Sequence, residues 1–331
     1  MSANQYTMVT LEELVSESHQ YRKFKKLLDF SIVRKVLSQI ESSNNYKGYG
    51  VDRLFKCLLL QFMEDLSDRE LERYLSDSNS AKWFCEFDLK ESTPDHTAFS
   101  KMRTKIGTER LSKIFAQFRD QLKRQGYIGE VFTFVDASHL ISKAALWEER
   151  DEVRRRKYEK LNNETLPKVA SDKDARIGCK GKNKFWYGFK KHVSVDMRHG
   201  LINKVAITKA NVNDSKGFKN VAPSSGATYA DKAYCDKHAK QTAAIKGLHL
   251  AAVKKNNMKD KNRDLDKYYT KTRAPFENVF SQDNKRARYK GICKNQFAAF
   301  MQAICFNLKR LVVINLPPRL LLCQGQITSK I

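Results

Sequence analysis

The sequence predicts an α/β protein in which a mixed β-sheet flanked by helices follows an all-helical N-terminal region. Three observations indicate this class. Residues 26–126 carry apolar side chains at helical spacing, residues 185–207 alternate with the period of a β-hairpin, and residues 227–289 alternate short strands with helices. Strands that join one sheet through helices are typical of mixed α/β domains.

The N-terminal region contains two clear helix starts. Ser67–Glu70 has the capping-box pattern, and Thr93–Asp95 places a cap, a proline and an acid in the order typical of a first helical turn. The second helix carries the basic residues of Lys101–Lys105. Short helices that end in a basic one fit a helix-turn-helix-like DNA reader, but they fit a scaffold or dimerisation bundle equally well.

These patterns predict four regions. We expect a flexible arm at residues 1–25, a helical DNA-binding or assembly domain at 26–126, an α/β domain at 127–315 with a charged insertion at 143–184, and a tail at 316–331.

Charge and cysteine content limit the partners and the compartment. A formal net charge of +25 over 331 residues indicates a polyanionic partner, most simply nucleic acid. Seven cysteines without a CxxC pair argue against a disulfide framework or a zinc site. We expect no signal peptide, because residues 1–14 lack an apolar segment, and no membrane span, because the apolar stretch Phe297–Phe306 is short.

Two predicted strands end in an aspartate. Val131–Val135 is β-branched and aromatic, as in a strand buried on both faces, and Asp136 follows it directly. Ala227–Asp231 repeats this arrangement in a shorter strand. A third carboxylate, Glu277, lies on a helix predicted for Arg273–Tyr289. Carboxylates at strand ends can face a cleft instead of being buried unpaired.

Three carboxylates on different elements suit two-metal phosphoryl transfer, which needs acidic groups that converge on two divalent ions. Each also has a structural explanation. Asp136 could cap a turn, Asp231 could pair with Lys232 at the surface, and Glu277 could be a helix acid favoured by the dipole. Their joint occurrence favours the catalytic interpretation.

Several segments, in chain order and at regular spacings, resemble the motifs of one family, the bacterial insertion-sequence transposases of the DDE superfamily, in the IS-five/IS-four group. The resemblance covers about Phe30 to Leu311. The matching segments are Leu66–Leu71, Pro94–Arg103, Val135–Ser138, Gly181–Lys190, Ala210–Asp214, Ala230–Tyr234, Arg273–Phe280 and Asn307–Leu311.

The resemblance implies an RNase H-like fold for the α/β domain, with Asp136, Asp231 and Glu277 as the catalytic and metal-binding residues. It also implies strand cleavage at the ends of a mobile element and strand transfer into target DNA, with two Mg²⁺ ions per site and Mn²⁺ able to replace them. The expected partner is double-stranded DNA, both terminal inverted repeats and target. Because two ends must be joined, we expect at least a dimer, in the bacterial cytoplasm at the nucleoid.

We expect DNA contacts from basic and aromatic residues near the site. They are Lys182, Lys184, Trp186, Lys190, Arg273, Lys285 and Arg288. The family's glutamate motif places a lysine at a fixed distance after the glutamate, and here Lys285 lies one residue too far downstream. On a continuous helix, either Lys285 or Arg288 could therefore hold the phosphate. Trp186 could stack on an unpaired base or simply pack within the hairpin.

Other acidic and histidine residues are expected to have structural roles. Asp172, Asp174, Asp196 and Asp214 are the rival carboxylates, of which Asp214 is the strongest. Two other functions remain open, namely an RNase H-like nuclease that cuts without joining and an inactive, DNA-binding transposase remnant.

Overall fold

The computed structural model describes residues 9–42, 48–143, 163, 166–181, 184–258, 261–277 and 285–315. The chain forms two compact units. Unit 1 comprises the described parts of Met1–Gln121 and Ile304–Ile331, and unit 2 those of Leu122–Ala303. The predicted domain boundary at 126/127 lies close to the first division, but residues 304–315, predicted to belong to the α/β domain, group with unit 1.

Helices make up the described N-terminal region. They are α1 (Leu11–Leu14), α2 (Gln20–Leu27), α3 (Ser31–Glu41), α4 (Val51–Met63), α5 (Asp68–Asp77), α6 (Asn79–Cys85) and α7 (His96–Arg124). The predicted capping box is present, because the Ser67 hydroxyl accepts from Glu70 N and Glu70 Oε2 accepts from Ser67 N at 2.7 Å. Gly107, at φ 63°, breaks the helical geometry within α7.

The prediction of a flexible arm at residues 1–25 is wrong for the part that the structure describes. Helices α1 and α2 lie there, and Tyr21 and Phe24 on α2 are each only 1% exposed. The Tyr21 hydroxyl donates to Glu64 Oε1 at 2.9 Å. Glu64 lies far from Tyr21 in the sequence. Because the segment is mostly polar, its composition did not reveal that α2 has a buried apolar face.

A six-stranded mixed sheet forms the centre of unit 2. Its strands are β1 (Phe132–Ile141), β2 (Arg176–Lys180), β3 (Lys184–Asp196), β4 (Ile202–Lys209), β5 (Ala227–Ala230) and β6 (His249–Ala252). The order is β2-β3-β1-β5-β6, with β4 also paired to β3. Strands β1, β5 and β6 are parallel, whereas β3 is antiparallel to β1, β2 and β4. The predicted mixed α/β class is confirmed.

The remaining α-helices of the described residues are α8 (Leu166–Val169), α9 (Asp214–Val221), α10 (Lys237–Ile245), α11 (Arg263–Arg273) and α12 (Ile292–Ile314). Helices α9 and α10 cover one face of the sheet, where Phe218 and Ala239 cluster with Val135 and Ala230 of the strands. Helix α11 lies against the opposite face, because the rings of Tyr269 and Tyr229 are 5.8 Å apart.

The hairpin predicted at residues 185–207 is confirmed as β3 and β4, joined by the turn Asp196–Gly200. Strand β2 was missed, because Arg176–Lys180 lies within a stretch that reads as a charged insertion. Its pairing partner is β3, and pairing of this kind is invisible in the local sequence. Residues 144–162 of the charged insertion and the tail 316–331 lie outside the described residues.

Apart from Arg273, which ends α11, the described residues of the helix predicted for Arg273–Tyr289 are not α-helical, and residues 278–284 lie outside the described residues. Helix α11 ends at Arg273, the 3₁₀ turn Ala274–Phe276 follows, and Glu277 comes directly after this turn. Helix α11 begins after the cap Asn262, in a lysine-rich stretch of the chain. Lysine-rich composition concealed the helix start. Pro275 lies in the 3₁₀ turn that follows α11, where it does not interrupt the helix.

The apolar stretch Phe297–Phe306, predicted to be too short for a membrane span, belongs to the longer helix α12. By length and composition this helix of 23 residues could cross a membrane, with a mean hydropathy of 1.5 in its most apolar window. A buried helix in the core of a protein that does not enter a membrane passes the same test. Here 56% of that window is buried inside the protein.

Candidate active site

Asp136 and Asp231 lie side by side because of the register of two parallel strands. Val135 of β1 pairs with Ala230 of β5, so the aspartates are the next residues on adjacent chains. Neighbouring strands lie about 4.8 Å apart. Side chains alternate along a strand, so both aspartate side chains lie on the face of the sheet opposite the one that carries Val135 and Ala230. The sheet therefore delivers two carboxylates to one point, 95 positions apart in the numbering of the chain.

The environment of Asp136 opposes its ionisation. Burial raises the pKa of this carboxyl to about 6, and the negative charge of Asp231 adds to the rise. A hydrogen bond from Ala137 N at 2.8 Å, together with the charges of Lys180 and Arg273, acts in the other direction without cancelling the effect. A buried acid of this kind beside a second carboxylate is stabilised by a bound cation.

Asp231 is held by the turn that follows β5. Its Oδ1 accepts from Ala233 N at 2.7 Å and caps the 3₁₀ turn Lys232–Tyr234. This capping bond fixes the orientation of the side chain at the end of the strand. Asp231 is therefore positioned by local backbone structure, whereas Asp136 is positioned by the strand itself.

Glu277 reaches the same cleft from the other side. Its Oε1 lies 3.2 Å from Nη2 of Arg273, and its side chain is 51% exposed. Helix α11 carries Arg273, and the short turn after it places Glu277 one step further on. A half-exposed side chain on a turn can reorient more easily than the two aspartates.

An open cleft of about 860 Å³ contains all three carboxylates. Four acidic and seven basic side chains line it, which gives an electropositive wall around an acidic centre. The acids are Asp136, Asp214, Asp231 and Glu277, and the bases are Lys180, Lys190, Lys191, Lys232, Lys255, Arg273 and Lys285. Such a surface suits a phosphate backbone that approaches cations held by carboxylates.

The donor set fits a divalent metal in chemistry but is not closed into a metal cage. Carboxylate oxygens are the ligands that Mg²⁺ prefers, and the ion usually takes only one or two from the protein. Within the described ranges, no group of three His, Cys, Asp or Glu side chains is close enough together to hold a metal ion. Asp136, Asp231 and Glu277 are the residues of the cleft that would hold such a cation.

The predicted DNA-binding residues divide into three groups. Trp186, Lys190, Arg273 and Lys285 line the cleft. Lys184 is exposed at the start of β3 and Arg288 is half-buried, and neither belongs to the cleft lining. Lys182 lies outside the described residues. The helical-face argument that weighed Lys285 against Arg288 is wrong, because residues 285–291 are not helical.

Two of the cleft residues have structural partners. Lys190 Nζ lies 2.8 Å from Asp214 Oδ1 and donates to Val212 O, so it joins β3 to the loop before α9. Trp186 is 8% exposed and donates from Nε1 to Phe189 O at 3.0 Å. These contacts favour hairpin packing for Trp186, and base stacking by this ring stays a prediction.

Three of the four rival carboxylates have the structural roles that were predicted. Asp172 accepts from Ser142 Oγ at 2.6 Å, Asp174 accepts from Ile292 N at 3.0 Å, and Asp196 accepts from Gly129 N at 3.0 Å. Asp214, the strongest rival, lines the cleft and pairs with Lys190.

The two histidines near the site are neutral near pH 7. Burial lowers the pKa of His139, and the cations Lys184, Lys285 and Lys180 lower it further. Burial lowers the pKa of His192 to about 4, and its Nε2 shares a hydrogen bond of 2.8 Å with Thr208. His192 therefore supports the sheet, whereas His139 belongs to the cleft wall.

Sequence reasoning missed several residues of the site. Lys180 lines the cleft from β2, the strand that was not predicted, and Lys255 and Asn256 line it from the loop after β6. Tyr234 is fully buried, and its hydroxyl has no hydrogen-bond partner among the residues that the structure describes. Burial raises its pKa, with contributions from the charges of Asp136, Asp214 and Asp231. In the sequence, the only indication that Tyr234 belongs to the site was its position three residues after Asp231.

The chain matches two families of transposase domains. The family described as "Transposase domain (DUF772)" matches residues 9–105, and the family described as "Transposase DDE domain" matches residues 166–290. The second match includes Asp231 and Glu277 and begins after Asp136. Together the matches support a DDE transposase.

One curated relative is the transposase of an insertion sequence. The chain is 25% identical over 210 residues to the transposase for insertion sequence element IS1106 of Neisseria meningitidis serogroup B. The alignment covers 60% of this chain and 72% of the relative. These findings together support an insertion-sequence DDE transposase. A cryo-EM structure of the piggyBac transposase synaptic complex with hairpin DNA aligns over 89% of this chain and 75% of that chain, with a TM-score of 0.43 and 11% identity.

Proposed function

We propose that the protein cleaves DNA strands at the ends of an insertion element and transfers them into target DNA, with Asp136, Asp231 and Glu277 as its catalytic carboxylates. The proposal includes the IS-five/IS-four group and an RNase H-like fold for the sheet domain. It also includes action as a dimer or larger assembly in the bacterial cytoplasm. The adjacency of Asp136 and Asp231 in a cleft lined by lysines is the observation that carries it.

The residues of the cleft have separate roles in this proposal. Asp136, Asp231 and Glu277 would hold divalent cations, Mg²⁺ or Mn²⁺, two per site. Bound divalent ions supply charge neutralisation at the phosphate and activation of the attacking oxygen. Lys180, Lys190 and the other cleft lysines hold the strand through its phosphates.

Both steps are phosphoryl transfers at one site. In the first, water attacks the phosphodiester in line, the bond from phosphorus to the 3′ oxygen breaks, and a 3′-hydroxyl is released. In the second, that hydroxyl attacks a phosphodiester of the target, so one P–O bond forms as another breaks. Positioning and electrostatic stabilisation supply most of the catalysis in such reactions. The chain's contribution is to align the strand beside the two aspartates.

The decisive experiment uses element ends that are already cleaved. Sequencing the DNA on either side of the reading frame gives the inverted repeats from which these ends are made. We expect the purified protein with Mg²⁺ to join pre-cleaved ends to a target plasmid, and Asp136→Asn and Asp231→Asn to abolish joining. Asp196→Asn is unsuitable as a control because Asp196 supports the backbone, so Asp264→Asn, an exposed position on α11, serves instead.

Each other function predicts a different result. A nuclease without strand transfer would cut intact ends but leave pre-cleaved ends unjoined. An inactive remnant would bind the repeats, and Asp136→Asn would then change nothing. Either result would reject the proposed function.

A further inference from the structure

A second basic surface lies outside the cleft, between helices α9 and α10. It is a groove of about 440 Å³. Its lining residues are Ser215, Lys216, Lys219, His238, Gln241, Thr242, Ile245 and Lys246. Among these described residues there is no carboxylate, although three are lysines. We call this surface the α9–α10 groove.

The two helices form the groove because they run in the same direction. At their N-terminal ends, Ser215 Oγ donates to Asp236 Oδ2 at 2.6 Å. At their C-terminal ends, Lys246 Nζ donates to Ala222 O at 3.3 Å. Lys216 and Lys219 are three residues apart and so lie on the same face of α9. The two ammonium groups are therefore presented along one wall.

Residues 214–246 carry a net positive charge, and each of their aspartates is already engaged in a contact. Residues 214–246 contain six lysines and three aspartates. Asp214 pairs with Lys190, Asp231 caps a turn in the cleft, and Asp236 accepts from His238 N and Ser215 Oγ. Lys216 and Lys219 are exposed and make no ion pair with the part of the chain that the structure describes.

The groove continues from the cleft. Asp214 lines the cleft, and the next residue, Ser215, lines the groove. Lysine stems can lie along apolar surface such as Ile245 while their charged groups stay in solvent. A polyanion that leaves the cleft along this side meets Lys216 and then Lys219.

We infer that the α9–α10 groove binds the phosphate backbone of duplex DNA that extends beyond the cleaved phosphodiester. The inference rests on the proposed function, which brings DNA to the cleft. Charge favours DNA as the occupant, because the described residues that line the groove include three lysines and no carboxylate. The groove residues thus add to affinity and register without taking part in the chemistry.

The test compares two double variants that remove the same charge. Lys216→Ala with Lys219→Ala changes the groove, whereas Lys237→Ala with Lys240→Ala removes two exposed lysines of α10 that do not line it. Binding of the full chain to a fluorescent random-sequence duplex of about 30 base pairs is measured by anisotropy without divalent ions. Circular dichroism checks that both variants are folded.

We expect the groove variant to show a smaller salt dependence than wild type. Loss of two phosphate contacts lowers the slope of log K against log salt by about 1.8. Between about 50 and 200 mM salt, wild type should therefore lose about tenfold more affinity than the groove variant does. The α10 control variant should keep the wild-type slope.

Three results would overturn the inference. Equal slopes in the two variants would mean that only net charge matters. An unchanged slope in the groove variant would show that Lys216 and Lys219 make no phosphate contacts. An unchanged slope with a shift from dimer to monomer in sedimentation would make the groove a protein interface. Because the assay needs no cleavage, wild type can show groove-dependent DNA binding even if it fails to join pre-cleaved ends, so failure of the proposed chemistry is recognised separately.

Discussion

Asp136 combines two demands that conflict at the level of one residue. It must be ionised to hold a cation, yet its burial beside Asp231 favours the protonated form. A rise in pKa from 3.8 to about 6 corresponds to about 3 kcal/mol of preference for the protonated acid. Since the folded-state pKa is the higher one, the associated stability is present at low pH and is lost as pH rises through about 6.

The substitution Asp136→Asn should make this dependence visible. In the absence of metal, we expect the stability advantage of the variant over wild type to grow by about 1.4 kcal/mol between about pH 5 and pH 8. Urea unfolding at both values measures it, and other titrating groups cancel in the comparison. A difference independent of pH would show that Asp136 titrates normally.

Tyr234 permits a second prediction at this scale. Its hydroxyl is buried and has no hydrogen-bond partner within the described parts of the chain, and an unpaired buried donor destabilises the fold by about 1–3 kcal/mol. We therefore expect Tyr234→Phe to unfold at equal or higher denaturant concentration than wild type. Tyr187→Phe is the matched control, because that hydroxyl donates to Asp172 O at 2.8 Å, and its loss should destabilise. Destabilisation by both changes would show that Tyr234 is hydrogen-bonded in solution.

At the scale of elements, the site depends on how α9 packs on the sheet. Gly217 of α9 lies against the ring of His192 on β3, and a Cβ at this position would come within 2.6 Å of His192 Nε2. The ring cannot move easily, since it is fully buried and bonded to Thr208. Glycine is therefore required here by close approach, although it weakens the helix by about 1 kcal/mol relative to alanine.

We expect Gly217→Ala to destabilise the protein by about 1–3 kcal/mol despite its better helix propensity. Asn220→Ala, an exposed position of the same helix, should be neutral or slightly stabilising. Thermal unfolding followed by circular dichroism measures both. A stabilised Gly217→Ala protein would mean that α9 is free to move away from β3.

At the scale of the whole molecule, the proposed cation site would couple folding to metal binding through the carboxylates. A ligand that binds only the folded state stabilises it, by about 2.7 kcal/mol at a hundred times its dissociation constant. We expect Mg²⁺ to raise the unfolding temperature of wild type but not of Asp136→Asn or Asp231→Asn, with Asp264→Asn behaving like wild type. EDTA should abolish strand cleavage and leave DNA binding in place. An equal rise in all four proteins would indicate nonspecific binding.

Much of this architecture was readable in the sequence because it depends on local patterns. The period of two predicted β3 and β4, and the capping box at Ser67 predicted α5. The short apolar runs before Asp136 and Asp231 predicted two strands, but β1 does not end at Asp136 as predicted and continues to Ile141. These signals follow from backbone geometry and side-chain burial, which neighbouring residues determine.

Tertiary structure alone decided how those elements meet. The pairing of Val135 with Ala230, which places two carboxylates together, joins strands more than 90 residues apart. The pairing of β2 with β3 and the end of α11 before Glu277 were likewise invisible, because long-range contacts outweigh weak local propensity. The sequence by itself determined which side chains are available for chemistry, and the packing of the sheet decided which of them face one another.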